Sequence, residues 1–137
     1  MSDNIKAFNQ LLTRAIGILY NCHPRPTTLG PMDLWNPSPK ESDPDFEVKA
    51  QEANGTLLWL HRNDIVDGDL QDFGNGKMYA INKALLTAKG YRIANTVDPN
   101  ENGKTVGQIA VETLAASSLP AVARAVALVA RRFTNGT

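Results

Sequence analysis

Six of the chain's eight prolines lie between Pro24 and Pro44, in the stretch CHPRPTTLGPMDLWNPSPKESDPD. Each proline lacks an amide donor and holds the residue before it in extended backbone, so no helix can cross this stretch. Residues 22–44 therefore read as a long connector that separates a first helix from everything after it, with a short strand possible at Thr27 to Leu29. Leu29, Met32, Leu34 and Trp35 are too apolar for a free linker, which implies a connector packed onto the domain.

The flanking segments carry clear periodicity. From Asn4 to Asn21, Ile5, Phe8, Leu11, Leu12, Ala15, Ile16 and Leu19 recur at steps of three and four, one apolar stripe of a helix with Asp3 as N-cap. A second helix should start at Ser42 or Asp43 as cap, with Pro44 in its first turn, where a missing N–H costs nothing. Phe46, Ala50, Ala53, Leu57 and Leu60 form its inward stripe. Asn54-Gly55 either breaks this helix or sits inside it, at a cost of about 1 kcal/mol for the glycine. Ile65 and Val66 open an extended piece. Asp67-Gly68 and Gly74-Asn75-Gly76 supply turn chemistry, and Met78 to Leu86 is β-compatible, which together predict a two-stranded hairpin. Thr87 caps a short helix, Ala88 to Ala94, and DPNENGK is an exposed loop. Two helices follow, one from about Thr105 to Ala116 and one from the Ser118 cap, with Pro120 in its first turn, to Phe133.

At 137 residues, 42% of them hydrophobic, the chain is sized for a single domain over 1–137. Fourteen basic and fourteen acidic side chains cancel, so no global field steers it to nucleic acid or an anionic membrane, and any such binding must use a local patch. The lone Cys22 and the absence of an opening signal pattern favour a reducing, cytoplasmic setting. The longest apolar run, Leu119 to Ala130, is twelve residues, against the roughly 20 needed to span a bilayer.

The segment from Thr56 to Ile93 joins TLLWLHRNDIV, a glycine-containing turn and a strand running into ALLTAKGYRI. It resembles the winged helix-turn-helix domains of small bacterial and phage regulators. There a helix ends, turns and enters the first wing strand, and the second wing strand runs into Leu-Thr-x-Lys-Gly before a short helix. The residues that carry the resemblance are Thr56, Leu57, Trp59, Leu60, Ile65 and Val66 at the first step, and Leu86, Thr87, Lys89 and Gly90 at the second. The resemblance implies a mainly α fold with a small β-hairpin (α+β): a winged-helix core over 4–95 and a C-terminal helical pair over 105–133. Such domains are most often DNA-binding regulators with the helix before the wing in the major groove, while some bind only proteins.

For DNA contact the candidates are Lys49, Thr56, Arg62, Lys77 and Lys83, since basic groups on the presented helix or wing neutralise phosphates and arginine can read guanine. The same side chains also fit a plain solvated surface. Asp64, Asp67, Asp69 and Asp72 depart from the pattern of a basic wing: they would repel phosphate, face a basic partner, or cap turns. Trp59 lies opposite Leu57 and Ala53 in a continuous helix, near Val48 and Gly55, as an exposed anchor; a break at Gly55 would turn it into the core.

His23, His61 and Cys22 show no metal-ligand spacing, and no orienting group accompanies Cys22 for nucleophilic catalysis. Gly103-Lys104-Thr105 resembles the end of a phosphate loop, but Asp98 stands where the first glycine belongs, so a turn is the better reading. No catalytic residue, cofactor or metal is assigned. The last helix is apolar nearly all round, and Leu119, Val122, Val126, Val129 and Phe133 are candidates for a homodimer interface, with plain core packing or a membrane-surface role for the arginine-bearing helix as alternatives. The resulting expectation is a dimeric regulator that binds double-stranded DNA, or a protein-binding adaptor or inhibitor on the same scaffold.

Overall fold

The apolar stripe of the first helix lies at the centre of the molecule. The computed structural model describes residues 3–74, 78–115 and 119–135. Helix α1 (Asp3–Cys22) buries Leu11, Leu12, Ala15, Ile16 and Leu19. It packs against most of the other elements. The connector then lies on the domain, as its apolar residues require. It holds strand β1 (Thr27–Leu29) and a 3₁₀ turn at Pro31–Leu34, with Leu29 and Leu34 fully inside. Its backbone is held by side chains: Arg14 Nε donates to the Asp33 carbonyl at 2.8 Å, and Trp35 Nε1 to the Lys49 carbonyl at 2.9 Å.

Helix α2 (Phe46–Arg62) begins later than the Ser42/Asp43 caps suggest. The Asp43 carboxylate instead accepts the Lys40 N–H at 2.9 Å and its carbonyl the Phe46 N–H at 3.1 Å, so Pro44 belongs to a turn and Asp45 is the N-cap. The helix runs unbroken through Asn54-Gly55 and buries Ala50, Ala53, Leu57 and Leu60. Antiparallel strands β2 (Val66–Asp72) and β3 (Tyr79–Leu86) follow, and β1 adds to the free edge of β3, giving the order β1-β3-β2. The short strand expected at Thr27 to Leu29 thus joins the two hairpin strands in one three-stranded sheet.

Asp67-Gly68 is not a turn but a bulge within the ladder. Asp67 pairs with Leu85 and Asp69 with Asn82, which leaves Lys83 and Ala84 opposite Gly68 alone. Gly68 has φ 143°, and a Cβ there would come within 2.6 Å of the Ile81 side chain, so only glycine fits. The expected turn at Asn75-Gly76 lies outside the described residues.

Helix α3 (Ala88–Ala94) is capped by Thr87, whose hydroxyl accepts the Gly90 N–H at 2.9 Å. Helix α4 (Val106–Ala115) opens with a reciprocal cap. The Gln108 N–H donates to the Thr105 hydroxyl at 3.1 Å, and the Thr105 N–H to the Gln108 side chain at 2.8 Å. Helix α5 (Leu119–Asn135) buries Leu128, Val129, Ala130 and Phe133. The loop between α3 and α4 is clamped by ion pairs, Arg132 to Asp98 at 3.4 Å, Arg124 to Glu101 at 2.9 Å and Lys104 to Glu112 at 2.8 Å. The hydrogen bond from Lys104 to Glu112, and then the charge of Glu112, raise the lysine's pKa further above its ordinary range, so it stays cationic at neutral pH.

The described residues therefore form an α+β domain of five helices and one antiparallel sheet. None of the described helices is long and apolar enough to cross a membrane. Gly90 sets the spacing between α3 and the start of β2, because a Cβ on it would stand 2.3 Å from the Ile65 carbonyl oxygen. Gly90→Ala should lose about 2 kcal/mol or more of stability in urea unfolding, despite alanine's better helix propensity. An unchanged midpoint would show that α3 can shift away freely.

Candidate functional site

Helix α2 turns about 100° per residue, so its buried stripe leaves Glu47, Val48, Gln51, Gly55, Leu58 and Arg62 on the opposite side. Of these, Glu47, Val48, Gln51, Gly55 and Arg62 are exposed and Leu58 is half-buried. A groove of about 500 Å³ runs between this side of α2 and the start of β3. Its apolar lining comes from Phe46, Ala50, Gly55, Leu58 and Met78, and its polar lining from Glu47, Gln51, Asn54 and Tyr79.

Two contacts hold the helix and the hairpin at this separation. The buried Asn54 carboxamide oxygen accepts the Tyr79 N–H at 3.1 Å, and His61 Nε2 lies 3.3 Å from the Gly68 carbonyl oxygen. Beyond the groove the apolar surface continues: Val48 is 58% exposed and Phe73 61%. Phe73 is anchored beside the groove by its N–H, which donates to the Met78 carbonyl at 3.1 Å.

Gly55 differs from the glycines that the packing requires. At Gly17 a Cβ would lie 2.7 Å from the Ala110 carbonyl oxygen, and at Gly107 2.4 Å from the Tyr20 ring, so α1 and α4 need both to approach each other. At Gly55 a Cβ would meet nothing within 4 Å. A glycine inside a helix costs about 1 kcal/mol relative to alanine, and here no internal contact offsets that cost.

Of the five residues considered for DNA contact, the four described ones are spread over different parts of the molecule. Lys49 faces the connector, 3.5 Å from Asp45 and 5.2 Å above the Trp35 ring. Thr56 is buried and its hydroxyl donates to the Glu52 carbonyl at 2.9 Å, which removes it from any outer contact. Arg62 is exposed at the end of α2, about 140° around the helix from Lys49. Lys83 is exposed at the bulge of β3 with φ 53°. Lys77 lies outside the described residues. The aspartates at 64, 67, 69 and 72 are all exposed. Asp64 also serves the fold, since its carbonyl accepts the Thr87 hydroxyl.

Trp59 is half-buried in the unbroken helix, with its ring edge-on to Phe8 of α1 at 5.2 Å. It therefore packs between the two helices rather than against the hairpin. Of the residues considered for a dimer interface, Val129 and Phe133 are completely inside the core and cannot meet a second copy. Val122 and Val126 line a shallow cavity with Leu11, Leu34 and Trp35 of the same chain, and the side chain of Leu119 lies outside the description.

Elsewhere, Cys22 is free and half-buried, and the His23 ring stacks on Tyr91 at 4.4 Å with Nδ1 unpartnered. Among the described residues no group of three or more His, Cys, Asp or Glu side chains is placed to hold a metal ion. Lys104 and Thr105 are occupied by an ion pair and a helix cap, so the Gly103-Lys104-Thr105 turn has no group directed at a phosphate.

No protein-family model, curated protein or solved structure matches the chain. The groove between α2 and the hairpin presents an apolar lining beside the carboxylate of Glu47, the carboxamide of Gln51 and Tyr79. Gly55→Ala, which this structure accommodates without a contact, should raise stability by about 0.5–1 kcal/mol. In a chain of this size the thermal midpoint would rise by about 2–4 °C. A fall would mean that Gly55 is needed for packing after all.

Proposed function

We propose that this chain is a non-enzymatic winged-helix module that docks a protein partner on α2 and the β2–β3 hairpin. The element order supports the scaffold reading: α1, β1, the 3₁₀ turn, α2, then the β2–β3 hairpin with β1 on the far edge of β3. In a winged helix that order makes α2 the presented helix and the hairpin its wing.

The observation that carries the choice of partner is the outer face of α2. Five of its positions are Glu47, Val48, Gln51, Gly55 and Leu58, and its one basic residue is Arg62 at the far end. Duplex DNA is bound chiefly by neutralising phosphates, and a face of this composition, beside a strand carrying exposed Asp67 and Asp69, offers them little. An apolar surface rimmed by polar groups is instead the mark of a protein interface.

The DNA-binding regulator is the second reading, favoured by the same element order and served by Arg62, Lys83 and Lys77. Among the described side chains of α5, Val129 and Phe133 are buried and the exposed ones include Arg124 and Arg131, so a monomeric module is the simpler reading.

Two measurements on the whole 137-residue chain separate these readings. Capture from nuclease-treated lysate should yield a stoichiometric protein, and the purified partner should bind Val48→Asp at least tenfold more weakly than the native chain. A gel shift with duplex DNA at low salt should show no complex. A salt-dependent DNA complex with no protein partner would overturn the proposal in favour of the regulator.

A further inference from the structure

We infer that the groove between α2 and β3 receives a basic amphipathic segment of the partner, with an apolar side chain over Gly55 and a lysine or arginine at Glu47. This rests on the protein-docking reading above and names the chemistry that the docked segment must have.

Three observations lead to it. First, Gly55 lowers the groove floor although no internal contact asks for a glycine there. An apolar group from outside gains the space that a side chain would fill. Second, Glu47 is the one charged residue among those lining the groove, and it forms no ion pair with another described residue. An acidic rim beside an apolar floor complements a side chain with an aliphatic stem and a cationic head, which can cover Leu58 or Met78 while its charge reaches Glu47. Third, the apolar surface does not stop at the groove. Val48 on the helix and Phe73 on the hairpin are exposed large hydrophobics on the two elements that form the groove, which suits a partner segment longer than a single small molecule. The volume of about 500 Å³ accommodates one or two large side chains of such a segment.

The test uses model peptides on the whole 137-residue chain: a short amphipathic Leu/Lys helix and its Leu/Glu counterpart, at about 0.15 M salt to screen distant charges. The Leu/Lys helix should bind at least tenfold more tightly, and amide resonances of Gln51, Asn54, Gly55 and Tyr79 should shift. Glu47→Gln should weaken Leu/Lys binding about two- to fivefold, as for a partly exposed ion pair. Gly55→Leu, whose Cβ would meet nothing within 4 Å, should abolish it while thermal unfolding stays at or above the native midpoint.

Equal binding of the two peptides, resonance shifts confined to other surfaces, or full binding by Gly55→Leu would each overturn the inference. Partner capture that survives Gly55→Leu would move the docking off the groove and leave the protein-docking reading standing. Groove binding that obeys both variants without any captured partner would sustain the groove chemistry and count against that reading alone.

Discussion

The backbone carbonyl of Ile65 is the point on which the described fold turns. It accepts the Thr87 N–H at 3.0 Å and lies 3.3 Å from the Thr87 hydroxyl. The same oxygen stands where a side chain on Gly90 would begin. One oxygen thus ties the exit of α2 to the start of β2, the end of β3 and the first turn of α3. Neighbouring bonds tighten the joint: the Ile65 N–H donates to the Leu60 carbonyl at 3.0 Å, and Lys89 Nζ to the Asn63 carbonyl at 3.2 Å. Ile65 itself is fully buried, so the bonds to its own N–H and carbonyl form where water competes little, and leaving one of these unmade would cost about 1–3 kcal/mol, whereas the Lys89 bond lies at the surface.

Because this joint fixes both ends of the hairpin relative to α2, the groove between them is a consequence of the fold and not of a mobile loop. Asn54 completes the frame from the helix side by taking the Tyr79 N–H at the start of β3. The helix is therefore held on its inner side by the core and at one edge by the hairpin, while Val48, Gln51 and Gly55 of its outer stripe are exposed. Three of the glycines at close contacts, Gly17, Gly90 and Gly107, work in the same way elsewhere, each allowing backbone or an aromatic ring to approach where a methyl group would collide. Gly55 stands apart because its free space faces outward.

Much of this was legible in the sequence because it rests on local rules. Steps of three and four gave α1, and the Leu86-Thr87 and Lys89-Gly90 pairs marked the end of β3 and the cap of α3 through chemistry that acts within a few residues. The features that escaped depend on distant chain. Asp67-Gly68 looks like a turn in isolation, but the pairing of Asp67 with Leu85 and of Asp69 with Asn82 across the sheet makes it part of a bulge. The start of α2 moved because Asp43 found partners at Lys40 and Phe46. Leu119 to Phe133 has too little polar surface for its inward side to be read from composition, and only the packing shows that Val129 and Phe133 belong to the core. For the site, a helical count already placed Val48 and Gly55 together on the outer side of α2, whereas Met78 and Tyr79 join them only through the hairpin's position.

The choice between a nucleic acid and a protein at this surface turns on how each is held. Affinity for duplex DNA grows with the number of phosphates neutralised, so a binding face needs several cations presented together. Here Lys49 is committed to Asp45 and Trp35, Thr56 is buried, and Arg62 and Lys83 sit on different elements, with exposed Asp67 and Asp69 on the strand between them. A protein segment has no such requirement. It gains from removing Val48, Leu58, Met78 and Phe73 from water, at about 25 cal/mol per Å² of apolar area, and one correctly placed charge is enough to select for a basic sequence. A composition poorly suited to binding phosphates is thus compatible with the proposed docking of a basic, amphipathic chain.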